Sequence, residues 1–159
     1  MALGTLEVTL LGARGLTRTD LLGKIEPYVV MEYRKQQHTS SIAKGTAPLW
    51  NQKFRFTVEH EEDEHEEDVA KSQNTLSLIL MDYDTFTQDD SLGQTTIHLG
   101  EAIQRGVENG KAEIGSHKYR VVAKDGTYCG ELHVAITFTR KKESKEHYFG
   151  GWKQSQSQF

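Results

Sequence analysis

The chain has 159 residues, 36% of them hydrophobic, which is enough for one ordinary domain around a single core; no apolar run is long enough to span a bilayer. The net charge of −4 is unevenly spread. Eight acids and no Lys or Arg lie between positions 59 and 68; without them 19 basic residues face 15 acidic ones, a body of net charge +4.

The single cysteine, Cys129, excludes an internal disulfide and fits a reducing cytosol. The N-terminal residues carry neither a signal peptide nor a myristoylation glycine, and the C-terminus has no prenylation box. Any membrane contact is therefore expected to be peripheral and reversible.

In chain order, Leu6, Val8 and Leu10 alternate with polar residues and predict a first strand, followed by a long loop over 17–27. Pro27 suits the start of a second strand over 28–33, since it donates no ladder hydrogen bond. A third strand is expected over 38–42, then a turn-rich loop from Lys44 to Trp50. Phe54, Phe56 and Val58 mark a fourth strand, with Lys53 and Arg55 on its other face. The acidic run 59–68 is too charged to pack and is read as a mobile loop. Strands follow over 75–81 and 92–99, a short helical turn over 101–110, and strands at 119–122 and 132–138 with a turn at Lys124–Gly126 between them. The expected fold is all-β, an eight-stranded antiparallel β-sandwich spanning 1–140, with an acidic insertion at 59–74 and a flexible polar tail at 141–159.

One loop carries the chemistry. Asp82, Asp84, Asp89 and Asp90 cluster after the fifth strand, around Phe86. Crowded carboxylates repel one another and are either a solvated turn or a cation site; hard oxygens in an irregular set suit calcium. An EF-hand is excluded, because Thr87 and Gly93 stand where its glycine and closing glutamate belong. If every strand reverses direction, the loops holding Asp20, Gly45 and Asp82 meet at one end, and the acidic run lies at the other.

Four stretches together resemble a C2 domain: residues 6–16, 20–29, 48–51 and 82–93, with the closing strand through Phe138 in keeping. Residues 128–131, placed in the penultimate turn, and 148–153 in the tail make the chain similar to the small plant elicitor-responsive C2 proteins. The resemblance implies the permuted, type II strand arrangement. It implies calcium ligation by the side chains of Asp20, Glu26, Asp82, Asp84 and Asp90, with the carbonyls of Leu21 and Tyr83 in addition. Glu26 stands where the family usually has Asp, and Ala47 where it often has Asn, so lower affinity or fewer ions are expected.

The function so implied is calcium-dependent binding of anionic phospholipid, by a cytoplasmic signalling module of plant defence or stress that moves to the plasma membrane when calcium rises. Bound calcium reverses the negative sign of the carboxylate end, after which Leu21, Leu22 and Phe86 enter the bilayer interface. Arg34, Lys35, Lys44, Lys53 and Arg55 form a candidate anionic-lipid patch, although a solvated strand face is the plainer reading of Lys53 and Arg55. No catalytic residue is expected: the chain lacks a nucleophile elbow, a P-loop, a dinucleotide fingerprint and zinc spacing. Nucleic acid is not an expected partner, and the protein is expected to be a monomer in solution. The alternative function is a calcium-independent interaction module, recruiting a signalling protein through the acidic run or the aromatic tail around Trp152.

Overall fold

The computed structural model describes residues 2–17, 25–59 and 74–142. The strands are β1 (Ala2–Arg14), β2 (Pro27–Tyr33), β3 (Gln36–Thr39), β4 (Leu49–Glu59), β5 (Thr75–Asp82) and β6 (Asp90–His98). Helix α1 (Gly100–Asn109) precedes β7 (Lys111–Val122) and β8 (Tyr128–Arg140). Every strand pair is antiparallel, in the order β3-β2-β5-β6-β7-β8-β1-β4. No helix among the described residues is long and apolar enough to cross a membrane.

Two four-stranded layers emerge because β6 and β7 share one residue pair, Gln94 with Val122. Gly93 makes that junction possible: a Cβ there would meet Val121 Cγ1 at 2.8 Å and Val122 backbone at 3.0 Å. Inward residues of both layers form the core, including Leu6, Val8 and Leu10 of β1, Leu76, Leu78 and Leu80 of β5, and Val134, Ile136 and Phe138 of β8. Tyr33 from one layer meets Phe56 from the other edge-on, with ring centroids 6.1 Å apart.

The outer edges, β3 and β4, are joined by side chains. Gln36 Nε2 donates to Thr57 O and its Oε1 accepts from Thr57 N, both at 2.7 Å, so one amide side chain imitates a paired strand residue. His38 Nε2 lies 2.9 Å from Arg55 O, and Trp50 Nε1 donates to Ser41 O at 2.8 Å. Exposed edges invite pairing with other chains, and here β3 covers the edge of β4.

Several boundaries differ from expectation. β3 ends at Thr39 because Ser40, only 6% exposed, completes the ladder with its own hydroxyl. Ser40 Oγ accepts from Val29 N at 2.8 Å, while Ser40 N donates to Val29 O at 2.9 Å, and the chain then departs. β7 begins eight residues before the expected 119, at Lys111. The 101–110 turn is a full ten-residue helix, α1. The turn at Lys124–Gly126 stands where expected, but residues 128–131, placed in the penultimate turn, open β8 instead.

Replacing Gln36 with Leu removes both amide bonds of the seam, and loss of about 1–2 kcal/mol of stability is expected by urea unfolding. Unchanged stability would mean that the seam contributes no net energy.

Candidate metal and membrane-contact site

Pro27 pairs with Asp82, and Gly12 with Leu49, so the connections after β1, β3 and β5 leave from the same end. Glu59, by contrast, pairs with Ala2 at the opposite end, as the alternation of strand direction requires.

At the neck of the β5–β6 loop stands Asp82, 2% exposed. A buried carboxylate must be hydrogen-bonded to be tolerable, and its Oδ1 accepts from Glu26 N at 2.9 Å. The next residue returns the contact: Tyr83 N donates to Glu26 O at 3.0 Å. Glu26 is thus held on both backbone groups by consecutive residues of the acidic loop.

Beyond the neck the loop is organised by its own acids. Asp84 Oδ1 accepts from Phe86 N at 2.9 Å and Thr87 N at 3.2 Å, and Thr87 Oγ1 donates to Asp84 Oδ2 at 2.7 Å. This is the local side-chain-to-backbone bonding that makes Asp a turn residue. Asp84 N donates to Asp89 Oδ1 at 2.9 Å, and the Tyr28 hydroxyl donates to Asp89 Oδ2. Burial, then the Asp89 carboxylate accepting its proton, push the Tyr28 phenol up to about 12. Phe86 sits at the tip, 93% exposed, and Tyr83 is 37% exposed.

Glu26, Asp82, Asp84 and Asp90 therefore share one end, Asp90 pairing with Asp82 across β5 and β6. Asp20, Leu21 and Leu22 lie outside the described residues, as do 60–73 of the acidic run and the tail from 143. Asp89, left out of the expected ligand set, is built into the loop; its signal was its place beside Asp90 in the acidic stretch. Among the described residues, no three His, Cys, Asp or Glu side chains stand close enough to hold a metal ion. In the bonds described, Asp84 turns back on its loop and Asp89 turns towards Tyr28. The donor chemistry nevertheless fits calcium, being carboxylate oxygen throughout and bonded to amides and hydroxyls.

The basic residues are dispersed. Lys44 lies at the carboxylate end, whereas Arg34 and Lys35 form the β2–β3 turn at the other. Arg34 donates to Glu59 O at 3.0 Å and to Asn74 Oδ1 at 2.9 Å. Lys53 and Arg55 occupy the outer face of β4, 3.9 and 3.4 Å from the Glu7 carboxylate.

A family profile described as C2 domain matches residues 4–115. The chain belongs to the C2 domain family. It is 43% identical to elicitor-responsive protein 1 of Oryza sativa subsp. japonica over 159 residues, covering 96% of each chain. It is 38% identical to a 16 kDa phloem protein 1 of Arabidopsis thaliana, covering 98% of this chain and 99% of that one. A solved C2 domain-containing protein from a putative elicitor-responsive gene is similar at a TM-score of 0.66 and 35% identity, covering 91% of this chain and 94% of that one. The C2 fold thus accounts for the eight antiparallel strands and for the meeting of the loops at one end.

The Tyr28 hydroxyl gives this end a titration signature. Its folded-state value lies above the ordinary one of about 10, so the stability it carries is complete below pH about 10 and is lost as pH rises through about 12. In chelator-containing buffer, the difference between the titrations of the parent protein and the Tyr28→Phe variant is expected to show one phenol that ionises well above the ordinary value, at about 12. A difference that develops at the ordinary value of about 10 would rule out the Tyr28–Asp89 bond.

Proposed function

We propose that this C2 domain binds anionic phospholipid membranes in response to calcium, as a recruitable signalling module. The observation that supports this most is the coexistence, on one loop, of Asp82, Asp84, Asp89 and Asp90 with the fully projecting Phe86. In this reading, Asp20, Glu26, Asp82, Asp84 and Asp90 hold calcium, and the carbonyls of Leu21 and Tyr83 add donors. Asp89 stands beside them as a loop-organising acid. Calcium, when bound, supplies positive charge and vacant coordination positions for lipid phosphate.

The residues of the chain do the rest. While the carboxylates stand bare, the end is negative and is repelled by an anionic leaflet. Once their charge is neutralised, the same end is attracted to that leaflet. Phe86 then adds apolar burial at roughly 25 cal/mol per Å², with Leu21 and Leu22 as its partners. The cation on Lys44 lies at the approaching end, and Arg34, Lys35, Lys53 and Arg55 offer further positive charge along the body. The protein acts by binding, with no catalytic step of its own. The likeness to plant elicitor-responsive and phloem proteins supports a place in defence or stress signalling, in the cytoplasm at resting calcium and at the plasma membrane when calcium rises. The C2 domain is taken to run over 1–140, with 141–159 as a tail.

The deciding experiment is sedimentation with phosphatidylserine-containing vesicles across a calcium titration, with chelator and magnesium as controls. The protein is expected to pellet with calcium and to stay in solution with magnesium. An Asp82→Asn/Asp84→Asn variant is expected to lose at least tenfold in vesicle binding at fixed calcium, since two anionic donors become neutral. No pelleting of the parent protein at millimolar calcium would refute the membrane reading and favour an interaction module that works without calcium.

A further inference from the structure

The connection between β3 and β4, taken with the first residue of β4, bears two prominent aliphatic side chains, Ile42 at 48% exposure and Leu49 at 78%. Lys44, also exposed, lies between them in sequence. None of the carboxylates belongs to this segment, and neither aliphatic residue is among those expected to insert.

This connection is firmly seated. Ala43 N donates to Pro27 O and Gly45 N to Ile25 O, each at 2.9 Å. On its other side, Ala13 N donates to Pro48 O at 3.0 Å and Leu16 N to Thr46 O at 3.2 Å. Four backbone bonds therefore tie it to both flanks of the first loop. Residues 25–27 that receive it also receive Tyr83 N through Glu26 O, so the β3–β4 connection and the Phe86 loop hang from one short segment. Leu49 follows the buried Pro48 and precedes the buried Trp50, which sets its own side chain outward. It lies over Gly12, where a Cβ would meet Leu49 Cδ2 at 3.1 Å. A large aliphatic group at 78% exposure on a fixed support gains little from the fold and is available to a partner.

We propose that the β3–β4 connection is a third membrane-contacting element, in which Ile42 and Leu49 enter the interface of an anionic bilayer beside Phe86 while Lys44 meets lipid phosphate. The inference rests on the membrane reading above and extends it to a segment that supplies no metal ligand. Three features select lipid as the occupant. The apolar groups project singly from two loops, separated by polar residues, and a fluid interface accepts separate protrusions that a preshaped protein groove would have to match one by one. The charge of Lys44 is complementary to an anionic surface. The segment is also continuous, through residues 25–27, with the loop already assigned to the membrane.

The test measures partition onto vesicles of phosphatidylserine and phosphatidylcholine at saturating calcium, for the parent protein, Ile42→Ser/Leu49→Ser and Phe86→Ser. Calcium binding without lipid, by calorimetry, and thermal unfolding are measured on each. The double variant is expected to bind calcium and unfold as the parent does, yet to partition at least about tenfold more weakly. A Leu49→Cys variant carrying an environment-sensitive fluorophore is expected to shift to the blue on the vesicles and to be quenched by nitroxide-labelled lipid; the native Cys129 is buried. Parent-like partition by the double variant, with loss confined to Phe86→Ser, would overturn the inference and leave the membrane reading standing. Failure of the parent protein itself to bind vesicles would overturn both.

Discussion

The carboxylate end depends on a two-point clamp between Glu26 and the pair Asp82–Tyr83. Asp82 is the one buried acid among the described residues, and burying a carboxylate is costly unless donors surround it. Glu26 N is such a donor, and Tyr83 N returns a bond to Glu26 O, so the end of the first loop cannot drift from the neck of the acidic loop. The β3–β4 connection then attaches to the neighbouring Ile25 and Pro27 carbonyls. A structural requirement and a candidate ligand coincide in Asp82, so an acceptor oxygen is needed at this position even with no ion present.

The rest of the sandwich makes that end possible by closing itself elsewhere. A sheet that ended in bare strands would expose donors and acceptors along β3 and β4. Gln36 and His38 cover β4 instead, and the close approach at Gly93 lets β6 meet β7 where the layers join. With edges covered and the core filled from both layers, the loops carry little of the folding energy. They are free to hold like charges close together and to project Phe86, arrangements that a marginal fold could not tolerate.

Most strands were legible because their inward residues keep an unbroken period of two: Leu6, Val8 and Leu10, or Leu132, Val134, Ile136 and Phe138. β7 hid its first half because a bulge between Glu113 and Gly115 shifts the alternation. Its inward residues are Ala112 before the shift and Ile114 in the bulge itself, but Tyr119 and Val121 after it, and the stretch between is polar and exposed. Leu49 and Trp50 read as loop although they begin β4, since Asn51 with φ 51° interrupts the regular strand just after them. Ser40 ended β3 early through a side-chain bond that no hydropathy pattern registers. In the site, the meeting of loops followed from strand reversal alone. Residue types pointed to the acids, but not to which of Asp89 and Asp90 faces Tyr28, because that depends on how the loop enters β6.

The acidic loop also links charge to shape. Asp84 has a finite set of oxygen lone pairs, and in this structure it spends them on the amides of Phe86 and Thr87 and the hydroxyl of Thr87. In the proposed reading, a cation that draws this carboxylate inward competes with those bonds, and the same exchange loosens the backbone from which Phe86 projects. A candidate ligand and the support of the apolar tip are thus one side chain. Asp89 works in the other direction: its bonds to Asp84 N and the Tyr28 hydroxyl tie the base of the loop to β2, so rearrangement at the tip leaves the neck in place.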